Sequence, residues 1–210
     1  MTSTLIKNLF NYVLIATSKY NIDETHGMTH SMNVLNYAQK IYESELPKKK
    51  YLKEQQNVIY TCAILHDMCD KKYMDEKKGL EEIDQYLHQT NQLNKIDINV
   101  SKLIMSTMSY STVKKNGFPN LGSFQTAYHI VREADLLSAY DFDRCLIYKM
   151  KNNSYTVNEA FDDAYDLFKN RVFKHNNDNL FIHDYAIKES IHLHRLALNR
   201  IDTWRNFLKL

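Results

Sequence analysis

Apolar residues near the start of the chain fall at Leu5, Leu9, Tyr12, Val13 and Ala16, a three-and-four spacing that draws one stripe and predicts a helix over 2–20. A polar link follows at 21–27. From Met28, the positions Val34, Leu35, Ala38, Ile41 and Tyr42 predict a second helix, stopped by Pro47 and the cluster Lys48, Lys49, Lys50. The third predicted helix, about 52–69, is apolar on nearly every face over 58–65 and is therefore expected to be the buried central one. It ends in His66, Asp67, Asp70, Lys71 and Lys72. Two amphipathic helices are predicted over 76–89 and 96–108, the latter with Ile98, Leu103, Ile104 and Met105 on its apolar side. Gly117, Pro119 and Gly122 crowd into one short stretch, which predicts a long loop over 110–123. Helices are predicted again over about 126–150, 157–173 and 181–210, and no repeat of 20 to 50 residues is visible.

Composition agrees with an all-α reading. Glycine and proline number 4 and 2 against 44% hydrophobic and 25% charged residues, which excludes collagen, proline-rich linkers and a sandwich of many tight hairpins. The 210 residues fit a single domain. A formal charge of +2 marks no global field for nucleic acid or a membrane surface, so anion recognition would have to be local. Cys62, Cys69 and Cys145 are odd in number and lack knuckle spacing, and MTSTLIKNLF has no basic segment followed by a long apolar run. The expectation is a reducing, cytoplasmic compartment. The apolar runs at 13–16 and 62–65 are far short of the roughly 20 residues of a membrane span and read as core helix.

The candidate chemistry begins with His66 and Asp67, adjacent ionisable groups at the polar end of the most apolar helix, where burial is costly unless a partner satisfies them. A metal ion is such a partner, and imidazole beside carboxylate suits manganese, iron, nickel, zinc or, less well, magnesium. The dipeptide alone says little: His-Asp arises about 0.6 times by chance in such a chain, and His183-Asp184 is a second copy, read as a helix start with Asp near the N-terminus. Context separates them. His30 stands one helical turn before Val34 on the inward line through Ala38 and Ile41, and Asp135 shares the row of Tyr128, Val131 and Ser138. Four inward donors, His30, His66, Asp67 and Asp135, are enough to hold one divalent cation with positions left for water and substrate.

The stretches HGMTHSMNV, AILHDMCDKKY and IVREADLLSAYD carry this set in order over about 26–141, and with them the sequence resembles the HD-domain metal-dependent phosphohydrolases. The resemblance is to the single-domain, single-metal branch that includes small nucleotide pyrophosphohydrolases, and it is looser over about 142–210. It implies an all-α, compact helical bundle spanning 1–210 with additional C-terminal helices. It also implies His30, His66, Asp67 and Asp135 as metal ligands, and hydrolysis of a phosphate ester or anhydride in a nucleotide or similar small phosphorylated molecule. Manganese is favoured, with magnesium, nickel, cobalt, iron or zinc as alternatives. Asp67 and Asp70 are the candidate catalytic acids, Asp70 orienting or deprotonating the attacking water. His26, Lys71, Lys72 and Arg144 are the candidate substrate contacts, and Gly27 allows close approach of backbone to ligand.

Two positions depart from the pattern of the relatives: Leu136 stands where a basic residue is common, and Ser138 where an acid is frequent. They suggest an alternative, a non-catalytic nucleotide-binding sensor. His88 and His129 lack the motifs of a two-metal site, which favours one metal. A nucleic-acid phosphodiesterase is disfavoured by the near-neutral charge, and a homo-oligomer is compatible with the sequence. Elsewhere the bland readings hold: His192 and His194 face different ways, Cys62 and Cys69 are core thiols, and Tyr37, Tyr42, Tyr60 and Tyr128 belong to the interior. The 110–123 segment, with Lys114, Lys115 and Phe118, is either a lid or a plain connection.

Overall fold

The computed structural model describes residues 3–153 and 155–209, and every regular element among them is helical. Two units are distinguished, Met1–Ala134 and Asp135–Leu210.

In the first unit, α1 (Ser3–Tyr20) buries the five residues of its predicted stripe, while Leu14 and Ile15 face outward. Helix α2 (Met28–Glu45) buries His30, Val34, Ala38, Ile41 and Tyr42. Helix α3 (Leu52–Leu65) is buried without interruption over 58–65 and packs on α1, α2 and α5 (Lys95–Thr107). It is the central helix of the unit. A helix hydrophobic on all sides can be stable only when neighbours cover every side. Helix α4 (Glu76–Thr90) packs on α5 and on the turn that follows α3.

The structure corrects several expectations. The third helix does not run to 69 as α-helix: after Leu65 it tightens into a 3₁₀ turn, His66–Cys69, a common way for a helix to end. Leu103 lies outside the apolar stripe and is half exposed; the buried row of α5 is Ile98, Ser101, Ile104 and Met105. Tyr37 is only partly buried.

The 110–123 segment is not all loop. Helix α6 (Tyr110–Asn116) is started by Ser109, whose side chain accepts the Thr112 N–H, and ended by Gly117 at φ 73°, whose N–H donates to Val113 O at 2.8 Å. Serine before a turn of helix and glycine in the left-handed region after it are the ordinary start and stop signals. A second 3₁₀ turn, Gly122–Phe124, leads into α7 (Gln125–Ser138).

The predicted helix over 126–150 is two helices. Helix α7 stops at Ser138, and α8 (Phe142–Asn153) restarts where the Asp141 side chain accepts the Arg144 N–H at 3.0 Å. An aspartate cap starts a helix without glycine or proline to announce it.

The second unit is aromatic at its centre. Phe142 of α8 meets Phe161 and Phe168 of α9 (Val157–Asn170) with ring centroids 5.6 and 5.2 Å apart. Helix α9 begins in a capping box of Thr156 and Glu159 and ends at Asn170, followed by a 3₁₀ turn, Val172–Lys174, so the helix predicted over 157–173 is shorter. Helix α10 (Asp184–Leu208) starts at His183-Asp184 as read from the sequence, three residues later than predicted. It is tied to α8 by Asp143, which accepts from Arg200 at 2.8 Å and Trp204 Nε1 at 2.7 Å. Residue 210 and the side chains of 152 and 153 lie outside the described set.

His194 stacks on Phe173 at 4.2 Å, and burial lowers its pKa below the usual histidine value. A base depressed in the fold takes up fewer protons than in the unfolded chain, so this stabilisation is present above about pH 6.5 and is lost as pH falls through the folded value. Denaturant unfolding at a series of pH values is expected to show a shallower loss between pH 7 and 5 for His194→Phe than for the parent; equal slopes would remove His194 from the acid response.

Candidate metal centre

His30 reaches the centre because α2 turns the same face inward at Val34, Ala38 and Ile41, and it is 2% exposed. His66 follows the last residue of α3 and is also buried. Asp135 is carried by α7, whose preceding residues up to Ala134 belong to the first unit. One donor atom from each of His30, His66 and Asp135 lies within 4.8 Å of the other two.

The local chemistry fits a cation. His66 Nδ1 lies 3.1 Å from Ala63 O; a carbonyl can only accept, so Nδ1 carries the hydrogen and Nε2 of the neutral ring carries the lone pair. That Nε2 faces His30 Nε2 at 3.1 Å, and the Asp67 carboxylate stands 3.1 Å from His30 Nε2 and 3.4 Å from His66 Nε2. Imidazole and carboxylate groups gathered in this way, with the Ala63 carbonyl fixing the His66 tautomer, are what a divalent ion requires. Burial works to raise the Asp67 carboxyl, but His66 and His30 beside it hold it well below the usual carboxylate range.

The sequence-predicted ligands are therefore placed unequally. His30, His66 and Asp135 form the group; Asp67 touches both histidines but stands outside that three-residue set. Asp70 is the other candidate catalytic acid. The 3₁₀ turn ends before it, and Asp70 has extended backbone (φ −65°, ψ 129°), its carboxylate accepting Lys72 N–H at 2.9 Å. Lys71 is exposed. Lys72 Nζ lies 3.3 Å from His26 Nε2, and the His26 ring centroid is 6.2 Å from that of His30. Arg144 sits in the first turn of α8, in the second unit.

The two positions that depart from the pattern of the family the sequence resembles have structural occupations here. Leu136 is 4% exposed, a core residue, and the Ser138 hydroxyl donates to Asp135 O at 2.8 Å. The thiols are inert: burial pushes Cys62 up to about 12, and burial followed by the Asp67 charge pushes Cys69 up as well.

Sequence reading missed two groups. Asp23, Thr25 and Tyr73 hold the Nδ1 side of His26. On α7, Arg132 is 2% exposed, lies 4.7 Å over the Phe118 ring, and has Glu133 at 3.5 Å. No periodic signal marks hydroxyls in a polar turn. A buried Arg-Glu pair reads from sequence as surface charge.

No protein-family model matches the chain, and no curated protein matches it. The chain is similar in fold to the crystal structure of a Lactobacillus plantarum protein solved as a structural-genomics target. The TM-score is 0.68 at 19% identity, covering 99% of this chain and 98% of that one. Among the described residues no helix is long and apolar enough to cross a membrane.

Proposed function

We propose that this chain is a divalent-metal-dependent phosphohydrolase acting on a nucleotide or similar small phosphorylated molecule. One observation carries the reading: His30, His66 and Asp135, far apart in sequence, bring three donors within 4.8 Å of one another. Together with Asp67 they would hold one divalent ion, manganese favoured, with magnesium, nickel, cobalt, iron or zinc as alternatives. When bound, the ion supplies Lewis-acid polarisation of a phosphoryl oxygen and a more acidic water.

The chain's own residues do the rest. His66, its Nδ1 hydrogen committed to Ala63 O, presents Nε2 without needing to lose a proton. Asp67 and Asp70 orient the attacking water and accept its proton. Lys72 and His26 meet the phosphate, and Lys71 adds charge at the exposed edge. The substrate is small because the chain has a charge of only +2 and a local rather than extended set of cations.

The test incubates metal-free protein with nucleoside mono-, di- and triphosphates, cyclic nucleotides and alarmones, adding manganese, magnesium, nickel, cobalt, iron or zinc singly. Release of phosphate or pyrophosphate with at least one pairing, lost in Asp135→Ala, is the expected result. Binding without release across the panel would move the reading to a nucleotide sensor. Hydrolysis that survives Asp135→Ala would remove the site.

A further inference from the structure

The first of the two groups missed in the sequence, Asp23, Thr25 and Tyr73, sits behind His26. Tyr73 OH donates to Asp23 Oδ2 at 2.6 Å, and the Thr25 hydroxyl donates to Asp23 Oδ1, which also accepts the Thr25 N–H at 2.9 Å. Each hydroxyl has one hydrogen, and both are given to Asp23. His26 Nδ1 lies 3.0 Å from each of those hydroxyl oxygens, so Nδ1 must be the donor to them. The neutral ring is thereby fixed with hydrogen on Nδ1 and the lone pair on Nε2. Burial works to raise the Asp23 carboxyl, but the Thr25 and Tyr73 donors outweigh it and hold it below its usual value. Asp23 is thus a buried carboxylate, 7% exposed, and it lies 3.8 Å from the imidazole it backs.

On the other side of the ring, Nε2 meets Lys72 Nζ at 3.3 Å. Lys72 is tethered by Asp70, whose carboxylate lies 3.7 Å from Nζ. The neighbouring Glu24 is taken up by the Thr29 N–H at 3.0 Å and the Thr29 hydroxyl. Two nitrogens at this separation can share one oxygen of an incoming anion. A terminal phosphate carries a readily exchanged proton near neutral pH. One proton then lies between the phosphate oxygen and Nε2, whichever side brought it, while Lys72 supplies a second donor and a full charge.

We propose that Asp23, acting through Tyr73 and Thr25, fixes the His26 ring so that Nε2 and Lys72 Nζ together seat a terminal phosphate oxygen close to His30. The ligand class is a molecule with a terminal phosphate or pyrophosphate group. Asp23 is a positioning residue, and His26 and Lys72 are the contacts. This deepens the phosphohydrolase reading and rests on it for its role in catalysis, though the binding step is measurable alone.

The test uses the full chain, with its histidines labelled with ¹⁵N and a chelator present, so that pyrophosphate binding reports this seat and not a metal. Nitrogen chemical shifts are expected to show His26 protonated at Nδ1. In Asp23→Asn, the amide donates to a hydroxyl, which turns its own hydrogen on Nδ1, and the tautomer is expected to switch to Nε2–H. Pyrophosphate binding, followed by calorimetry, should weaken roughly tenfold or more in Lys72→Gln, without a change of tautomer. Lys72 is exposed, so its variant stands even if Asp23→Asn unfolds. An Nε2–H tautomer in the parent, or unchanged pyrophosphate affinity in Lys72→Gln, would overturn the proposal. Loss of the seat with retained hydrolysis sinks this inference alone; an intact seat with no hydrolysis of any substrate sinks only the functional reading.

Discussion

His66→Ala is expected to abolish divalent-cation binding while leaving the metal-free protein folded. His66 Nε2 is one of three donors that converge, and its partner His30 has no equivalent imidazole within the described group. Removing an outer-shell partner of a ligand already costs about ten- to a hundredfold in affinity, so loss of the ligand itself should exceed a hundredfold. Without metal, His66 Nε2 faces His30 Nε2 at 3.1 Å and Asp67 at 3.4 Å, and deleting it removes those contacts and opens a small cavity beyond the end of the uninterrupted core segment 58–65. With metal at a hundred times its dissociation constant, the parent should gain about 2.7 kcal/mol by linkage. Thermal unfolding with chelator and with manganese is the measurement: the parent transition should rise with metal and that of His66→Ala should not. A variant that binds manganese as tightly as the parent would remove His66 from the site.

Gly79→Ala should destabilise the protein and loosen the metal centre together. In a helix interior alanine is ordinarily better than glycine by about 1 kcal/mol. Here a Cβ on Gly79 would stand 2.9 Å from Cys69 Cβ and 3.0 Å from Cys69 Cα, besides 2.8 Å from Met74 Sδ. The methionine can swing aside, but the Cys69 backbone closes the turn that bears His66 and Asp67. Overpacking of this kind typically costs 1–3 kcal/mol, enough to reverse the sign of the helix gain. Urea unfolding should show a net loss of up to about 2 kcal/mol, with weaker metal binding. A Gly79→Ala protein more stable than the parent would mean that α4 does not press on the turn.

The sequence carried the inward faces well. His30 was legible because Val34, Ala38 and Ile41 continue its row, and all four are buried. The central place of α3 followed from apolar residues on every face. Boundaries without glycine or proline were not legible: Asp141 splits α7 from α8 with a side-chain cap, and Ser109 starts α6 inside a stretch dominated by Gly117, Pro119 and Gly122. The 3₁₀ turn at His66 was invisible because the residue types of a tightened last turn are those of a helix. The Asp23, Thr25 and Tyr73 group was beyond reach for another reason. Tyr73 and His26 are 47 residues apart, and a hydroxyl leaves no periodic trace.

The uninterrupted burial of α3 has a bearing on motion. Amides over 58–65 are shielded on all sides, so they should open only when the whole unit does, whereas frayed ends and loops open at little cost. His66 and Asp67 follow directly on that segment. The His66 donor, with Asp67 beside it, is anchored to the part of the chain expected to exchange last with solvent, and its geometry should survive local fluctuations that disturb the turn at 21–27, where His26 is held.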